Sequence, residues 1–262
     1  MSEDTTQSGS ISRLLRVIYL MADLPGGEVG ITQASRALEM PKAAVHRILR
    51  GLVDGGFVRY DAVTRRYALG PGALTVGLAV LRELNVPQMA RPVLQDMVDR
   101  TGETATLSVF RGTKRIYIDQ VVSPKQIRFT VELGATNPIY AGSSSKSILA
   151  ALSPEQGAAV LDQASPLVSP TSNDVVDRKA LLAELKEIRD RGYAVSFGER
   201  DKDAASVAAA ILQPGGQVFG ALSLCGPISR FDRSMVPDYG ALVVSAAARV
   251  SADIGYDDRP SA

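Results

Sequence analysis

One histidine and one cysteine stand among 262 residues, and each scarcity removes a class of chemistry. Cys225 has no partner for an intramolecular disulfide, so the chain suits a reducing compartment and a cytoplasmic location is expected. His46 cannot build a two-histidine metal site, and one cysteine elsewhere does not complete a zinc cluster. No metal and no other cofactor is expected, although carboxylate-bound magnesium stays open. A Ser-His-Asp triad would have to recruit His46, which lies in a basic helical segment with another reading. No uninterrupted apolar run approaches the roughly 18 residues that span a bilayer. The opening MSEDTTQSGS is polar and acidic, unlike a targeting segment, and reads as a disordered leader over residues 1–9. No membrane partner is expected.

What is present is enough apolar content, 45% of the chain, to bury a sizeable core in one large or two smaller domains. The net charge of +1 conceals an asymmetry. Between Met40 and Gly70 the cations Lys42, Arg47, Arg50, Arg59, Arg65 and Arg66 face only Asp54 and Asp61. Such a patch attracts nucleic acid.

The periodicity in that region is helical. ISRLLRVIYLMADL places Ile11, Leu14, Leu15, Ile18 and Met21 on one face, and Pro25, Gly26 and Gly27 are expected to end the helix. ITQASRALEM buries Ile31, Ala34 and Leu38. Pro41 opens a third helix, PKAAVHRILRGLVDGG, with Val45, Ile48, Leu49 and Leu52 inward, leaving Lys42, Ala43, Ala44, His46, Arg47 and Arg50 on other faces. FVRY and RRYALG, separated by DAVT, then read as a hairpin. Three helices and a basic hairpin make a winged helix-turn-helix. Its third helix is expected to meet base edges in the major groove, with Ala43 and Ala44 small enough for close approach, while Arg65 and Arg66 on the wing anchor phosphates.

Farther along, YAGSSSKSILAAL gives Ser143 and Lys146 the S-x-x-K spacing of a penicillin-recognising nucleophile. The accompanying elements are missing: Arg100-Thr101-Gly102 imitates K-T-G but lies upstream, and Ser172-Asn173-Asp174 has the wrong order. A G-x-S-x-G elbow fails as well, because Lys146 occupies the final glycine position. A serine hydrolase carrying a DNA-binding appendage is therefore the alternative, and an enzyme is not expected. A serine-rich turn entering a helix instead offers free backbone N–H groups, hydroxyls and the positive end of the helix dipole, which together suit a carboxylate. Lys146 is expected to face solvent and receives no role.

ITQASRALEMPKAAVHRILRGLVDGGFVRYDAVTRRYALGPGAL resembles the DNA-binding domain of the isocitrate lyase regulator (IclR) family. ARPVLQDMVDRTGETATLSVF, YAGSSSKSILAAL, ELKEIRDRGYAVS and VAAAILQPGGQVFGALSLCGPISRF resemble that family's effector-domain blocks in the same order. Multiple ordered blocks are far more specific than a short motif. The resemblance implies an α+β protein: a winged helix-turn-helix over 10–70, a linker helix over 71–86, a GAF-like effector-binding domain with an antiparallel sheet over 87–256, and a tail over 257–262. The strand-like TATLSVF, KRIYIDQVV, IRFTVEL and GQVFGALSLCG and the helical LLAELKEIRDRG fit that class. PGALTVGLAVLREL has apolar residues on several sides, which suits packing against a partner subunit.

The resemblance further implies a transcriptional regulator, expected to be a repressor. Its partners would be double-stranded operator DNA, a small-molecule carboxylate effector and a second copy of the chain, as a homodimer or a tetramer. Ser143 and Ser144 carry over as effector contacts, and Ser206 falls where members often have cysteine. Ser223 and Cys225 fall on alternate positions of one strand where members commonly have serine. Ser196 replaces a frequent aspartate, which reduces repulsion toward an anion. With Ile127, Phe129 and Ile139 as apolar walls, an aromatic or aliphatic acid is expected. In the wing, Arg65 replaces the usual glycine.

Overall fold

The computed structural model describes residues 4–24, 27–83 and 86–256. The chain divides into two compact units, Met1–Leu84 and Asn85–Ala262.

In the first unit, helix α1 (Asp4–Asp23) is followed by β1 (Glu28–Val29), α2 (Ile31–Leu38), α3 (Lys42–Asp54), β2 (Val58–Asp61), β3 (Arg66–Leu69) and α4 (Pro71–Glu83). Helix begins at Asp4, inside the stretch read as a disordered leader, and ends before Pro25 and Gly26, which lie outside the described residues. The apolar faces of α1 to α3 meet in one core containing Val17, Met21, Ala34, Val45, Leu49 and Leu52. The expected hairpin forms between β2 and β3, and β1 adds to the other edge of β3. Backbones pack closely where the hairpin meets α4: Gly70 donates to the Phe57 carbonyl and Gly72 to that of Gly56. A Cβ on either glycine would lie 2.9 Å from the Gly56 oxygen, so no larger residue fits. The helix expected over 71–86 is α4, which groups with the first unit. It leaves Leu74, Val76 and Leu78 exposed.

The second unit runs α5 (Val86–Thr101), β4 (Thr104–Arg111), β5 (Lys114–Val121), β6 (Thr136–Pro138), α6 (Ser143–Ala151), α7 (Pro154–Gln163), α8 (Arg178–Arg191), β7 (Ala194–Phe197), β8 (Ala204–Gln213), β9 (Gln217–Pro227) and α9 (Val236–Asp253). Its six strands form one antiparallel sheet in the order β6-β5-β4-β9-β8-β7. Side chains alternate across the sheet. Val207, Leu222 and Leu224 are buried on the side of α5 and α9, whereas Ala221 joins Ile148, Leu149, Leu185 and Ile188 in the core beneath α6 and α8. Helix starts are capped locally: Ser153 and Gln156 form a capping box on α7, and the Asp177 carboxylate accepts from the Lys179 and Ala180 amides on α8.

IRFTVEL is not a strand, although its β-favouring residues suggest one. Side chains take over the work of a ladder. Thr104 Oγ1 donates to the Phe129 carbonyl at 2.6 Å, while Gln120 donates to the Val131 carbonyl and accepts from its amide.

Candidate functional site

Two surfaces answer to the sequence, one in each unit. On α3, Val45, Leu49 and Leu52 point into the core, so helical geometry turns Ala43, Arg47 and Arg50 outward. Lys42, Ala43, His46, Arg47 and Arg50 are exposed, and Ala44 is half-buried. Ala44 and Arg47 also border a groove of about 330 Å³ against Ser10, Arg13 and Leu14 of α1.

The wing carries Arg65 and Arg66, both exposed. Its turn is closed by Asp61, whose carboxylate accepts from the amides of Val63 and Thr64. Those two amides hold the Asp61 carboxyl below the usual carboxylate range. Arg65 has φ 55°, the left-handed region that favours glycine, so the substitution noted in the sequence leaves the turn intact at some backbone cost. Arg66 Nη1 donates to the Glu28 carbonyl at 3.4 Å, and Arg59 lies 3.7 Å from the Glu28 carboxylate.

In the second unit, strand register assembles a polar row. Ser196 on β7 pairs with Ser206 on β8, Ser206 with Cys225 on β9, and Cys225 with Thr104 on β4. Ser223, two residues from Cys225, shares its face and sits 2.7 Å from the Thr106 hydroxyl. The first turn of α6 lies over this row, and Ser143 Oγ donates to Ser206 Oγ at 2.7 Å.

A cavity of about 30 Å³ lies between them. Ser143, Ser144, Ser196, Ser206, Ser223 and Cys225 all line it, together with Phe129. Its enclosed wall pushes the Cys225 thiol up to about 11, burial being the dominant cause, with Arg200 opposing, Glu103 adding and Arg115 opposing.

The α6 start presents backbone donors. Gly142 adopts φ 86°, where a side chain would be strained, and its carbonyl receives the first helical bond from the Lys146 amide at 3.0 Å. Glu199 accepts from the Gly142 amide. Among the described residues, no acceptor faces the amides of Ser143, Ser144 and Ser145.

Three expectations are corrected. Ile127 is 73% exposed and contributes only its carbonyl, which accepts from Arg230. Without a strand to orient it, its side chain leaves the cavity. Ile139 is fully buried, but in the core with Ile148 and Leu149, because the chain turns at Ile139 to enter α6. Lys146 is buried, not solvent-facing: its ammonium lies 2.6 Å from Glu184 and 2.5 Å from Glu199. The ammonium is thus held by two carboxylates, and Ser143 is bonded to another serine, so the S-x-x-K pair is not assembled as nucleophile and base.

Sequence reasoning also missed several lining residues, among them Arg115, Tyr117, Arg200 and the acidic Asp201. Arg115 is 2% exposed. Its Nε donates to Ser145 Oγ at 2.9 Å and its Nη2 to the Tyr117 hydroxyl at 2.8 Å, with the guanidinium 4.3 Å from the Tyr117 ring centre. Burial pulls the Arg115 guanidinium below its ordinary value, the Tyr117 hydroxyl opposing this and Arg200 adding to it. No sequence signal marks Arg115: it occupies a strand position where a charge ordinarily means exposure.

Residues 10–62 match the family model described as the IclR helix-turn-helix domain, and residues 78–252 match that of the bacterial transcriptional regulator IclR C-terminal domain. The chain is 30% identical to the transcriptional repressor IclR of Escherichia coli over 253 residues, covering 96% of this chain and 92% of that protein. It is 31% identical to the HTH-type transcriptional regulator KipR of Bacillus subtilis over 217 residues, 83% and 86% of the two chains. Among solved structures, an IclR transcriptional regulator from a Silicibacter species superposes with a TM-score of 0.82 at 30% identity, covering 96% of this chain and 98% of that one.

Proposed function

Because the chain belongs to the IclR family of bacterial transcriptional regulators, we propose that it is a repressor whose affinity for operator DNA is set by a small organic acid. The acid binds in the cavity beneath α6. The observation that carries this reading is that Ser143 and Ser144, whose backbone amides have no acceptor among the described residues, border a cavity walled by serine hydroxyls. Helix-start amides favour negative charge and are worth most where water is scarce. In this conformation a volume of about 30 Å³ accommodates two or three water-sized groups at roughly 10–15 Å³ each, so a larger acid enters only as the cavity opens.

On the DNA side, Lys42, Ala43, Ala44, His46, Arg47 and Arg50 form the recognition surface, and Arg65 and Arg66 hold the phosphate backbone. Support comes from the exposure of all of these but the half-buried Ala44 and from the excess of cations there. Two copies bind together through the apolar surface that α4 leaves exposed at Leu74, Val76 and Leu78. Exposed apolar residues concentrated on one helix mark an interaction surface. Repression follows the name of the Escherichia coli relative. The acid acts by binding one arrangement of the dimer better than the other, which shifts the population that fits the operator.

Sequencing the DNA fragments retained by the purified protein, with and without short carboxylic acids, tests the reading. A single enriched sequence that one acid depletes supports it. Retention of random fragments, indifferent to every acid, contradicts it.

A further inference from the structure

Among the described residues, the buried side-chain polar atoms left without a partner are Arg115 Nη1 and Asn137 Nδ2. Both are donors, and they belong to residues directly opposite each other on β5 and β6. Directly opposed side chains in an antiparallel pair stand on the same face with their Cβ atoms about 5 Å apart. The orientation of the Asn137 amide is fixed by chemistry: Arg200 Nη1, which can only donate, is 2.9 Å from Asn137 Oδ1, so Nδ2 must be the free end.

The charge balance points the same way. No carboxylate lies within ion-pair distance of Arg115 among the described residues: Asp201, which lines the same cavity, is exposed and accepts from the Asp203 amide, and Arg200, also lining it, is stacked 5.2 Å from the Tyr117 ring. A buried guanidinium ordinarily has an acidic partner. Here its visible partners are a serine and a tyrosine hydroxyl, which leave the charge unanswered.

We propose that Arg115 and Asn137 form an oxyanion subsite that takes the effector's carboxylate, with Arg200 orienting the Asn137 amide as a positioning residue. The inference rests on the acid-sensing reading and adds the residues that decide between an acid and a neutral molecule. Nη1 and Nδ2 are closed to solvent in this conformation, so a carboxylate oxygen reaches them only when a neighbouring wall gives way. The wall formed by Phe129, Thr130 and Val131 is suited to that, being tied down by side chains and not by a strand ladder. Arg115 borders the cavity and Asn137 stands beside it on β6, outside the lining; the two unmet donors make the closed arrangement costly, and an acid that meets them favours the opened one.

The test is Asn137→Asp, which supplies an internal carboxylate where the effector's would sit. Thermal melts of the acid-free variant and calorimetric titrations with propionate, malonate and neutral propionamide are compared with wild type and with Arg115→Lys. The inference expects a melting temperature raised by about 2–4 °C in Asn137→Asp. It also expects acid binding at least about tenfold weaker in both variants and no propionamide binding. It is overturned if Asn137→Asp melts no higher than wild type, or if either variant binds the acids within twofold of wild type. Should wild type itself bind none of these acids, the acid-sensing reading fails, and the Asn137→Asp melt still decides whether Arg115 lacks an anion.

Discussion

Ser143 Oγ donates to Ser206 Oγ across 2.7 Å, joining the first turn of α6 to β8 of the sheet. A ligand entering between them exchanges this hydroxyl contact for its own, while the amides of Ser143, Ser144 and Ser145 remain where they were. Ser143→Ala is therefore expected to weaken acid binding by about 0.5–3 kcal/mol, the range between neutral and charge-assisted hydrogen bonds. Calorimetry reads the loss, and DNA binding without acid is expected to be unchanged. Stoichiometric acylation of Ser143 with turnover would instead establish a nucleophile.

The Cys225 thiol, raised to about 11, is expected to resist alkylation at neutral pH, where fewer than roughly one thiol in a thousand is ionised. Iodoacetamide labelling followed by mass spectrometry across pH 7–11 should show the rate climbing up to the top of that range. Rapid labelling at pH 7 would contradict the enclosed wall. Cys225→Ser restores a hydroxyl and should favour more polar acids.

Glu103 is buried between Arg230, 2.6 Å away, and Lys125, 2.9 Å away. Burial pushes its carboxyl up, but the hydrogen bonds from Arg230 and Lys125 outweigh that and hold it below the ordinary range. A depressed folded value means stability that is fully present above the unfolded value, about 4.3, and lost as pH falls through the folded one. Urea titrations between pH 2 and 6 should therefore show the second unit weakening with acid, and Glu103→Gln should flatten that slope.

Arg65 at φ 55° should cost backbone energy that glycine would not, about 1 kcal/mol. Arg65→Gly is expected to leave the first unit as stable or slightly more so in denaturant titrations. If Arg65 touches phosphate, the salt dependence of DNA binding should flatten by about one counterion.

Helices α2 and α3 could be read from periodicity because each buries one regular face, as Val45, Leu49 and Leu52 do on α3, whereas α6 is buried all round and Ile11 and Leu15, expected on the inner face of α1, are exposed. What could not be read depended on partners distant in the chain. IRFTVEL has strand composition, yet Thr104 and Gln120 satisfy its backbone, so Phe129 reaches the cavity while Ile127 turns to solvent. Lys146 sits in a helix start that suggests exposure, and only the arrival of Glu184 and Glu199 from elsewhere allows its burial. β1 is two residues long, too short to carry a pattern. The serine row was accessible through the family resemblance, and strand alternation puts Ser223 and Cys225 on one face. Arg115 was not, because the partners that receive its hydrogen bonds are hydroxyls and not the carboxylates that a charge pattern would reveal.

The central claim is that one chain reads DNA through α3 and has that reading altered by an acid in the cavity. Fluorescence anisotropy with the retained operator and a random duplex, with and without the acid found to bind, measures both halves together. The account predicts that acid shifts operator affinity by about 5- to 150-fold. It also predicts that Arg47→Ala loses about 1–3 kcal/mol of discrimination between the duplexes, while Arg66→Ala weakens both alike. Operator affinity unmoved by bound acid, with both variants binding like wild type, would contradict it.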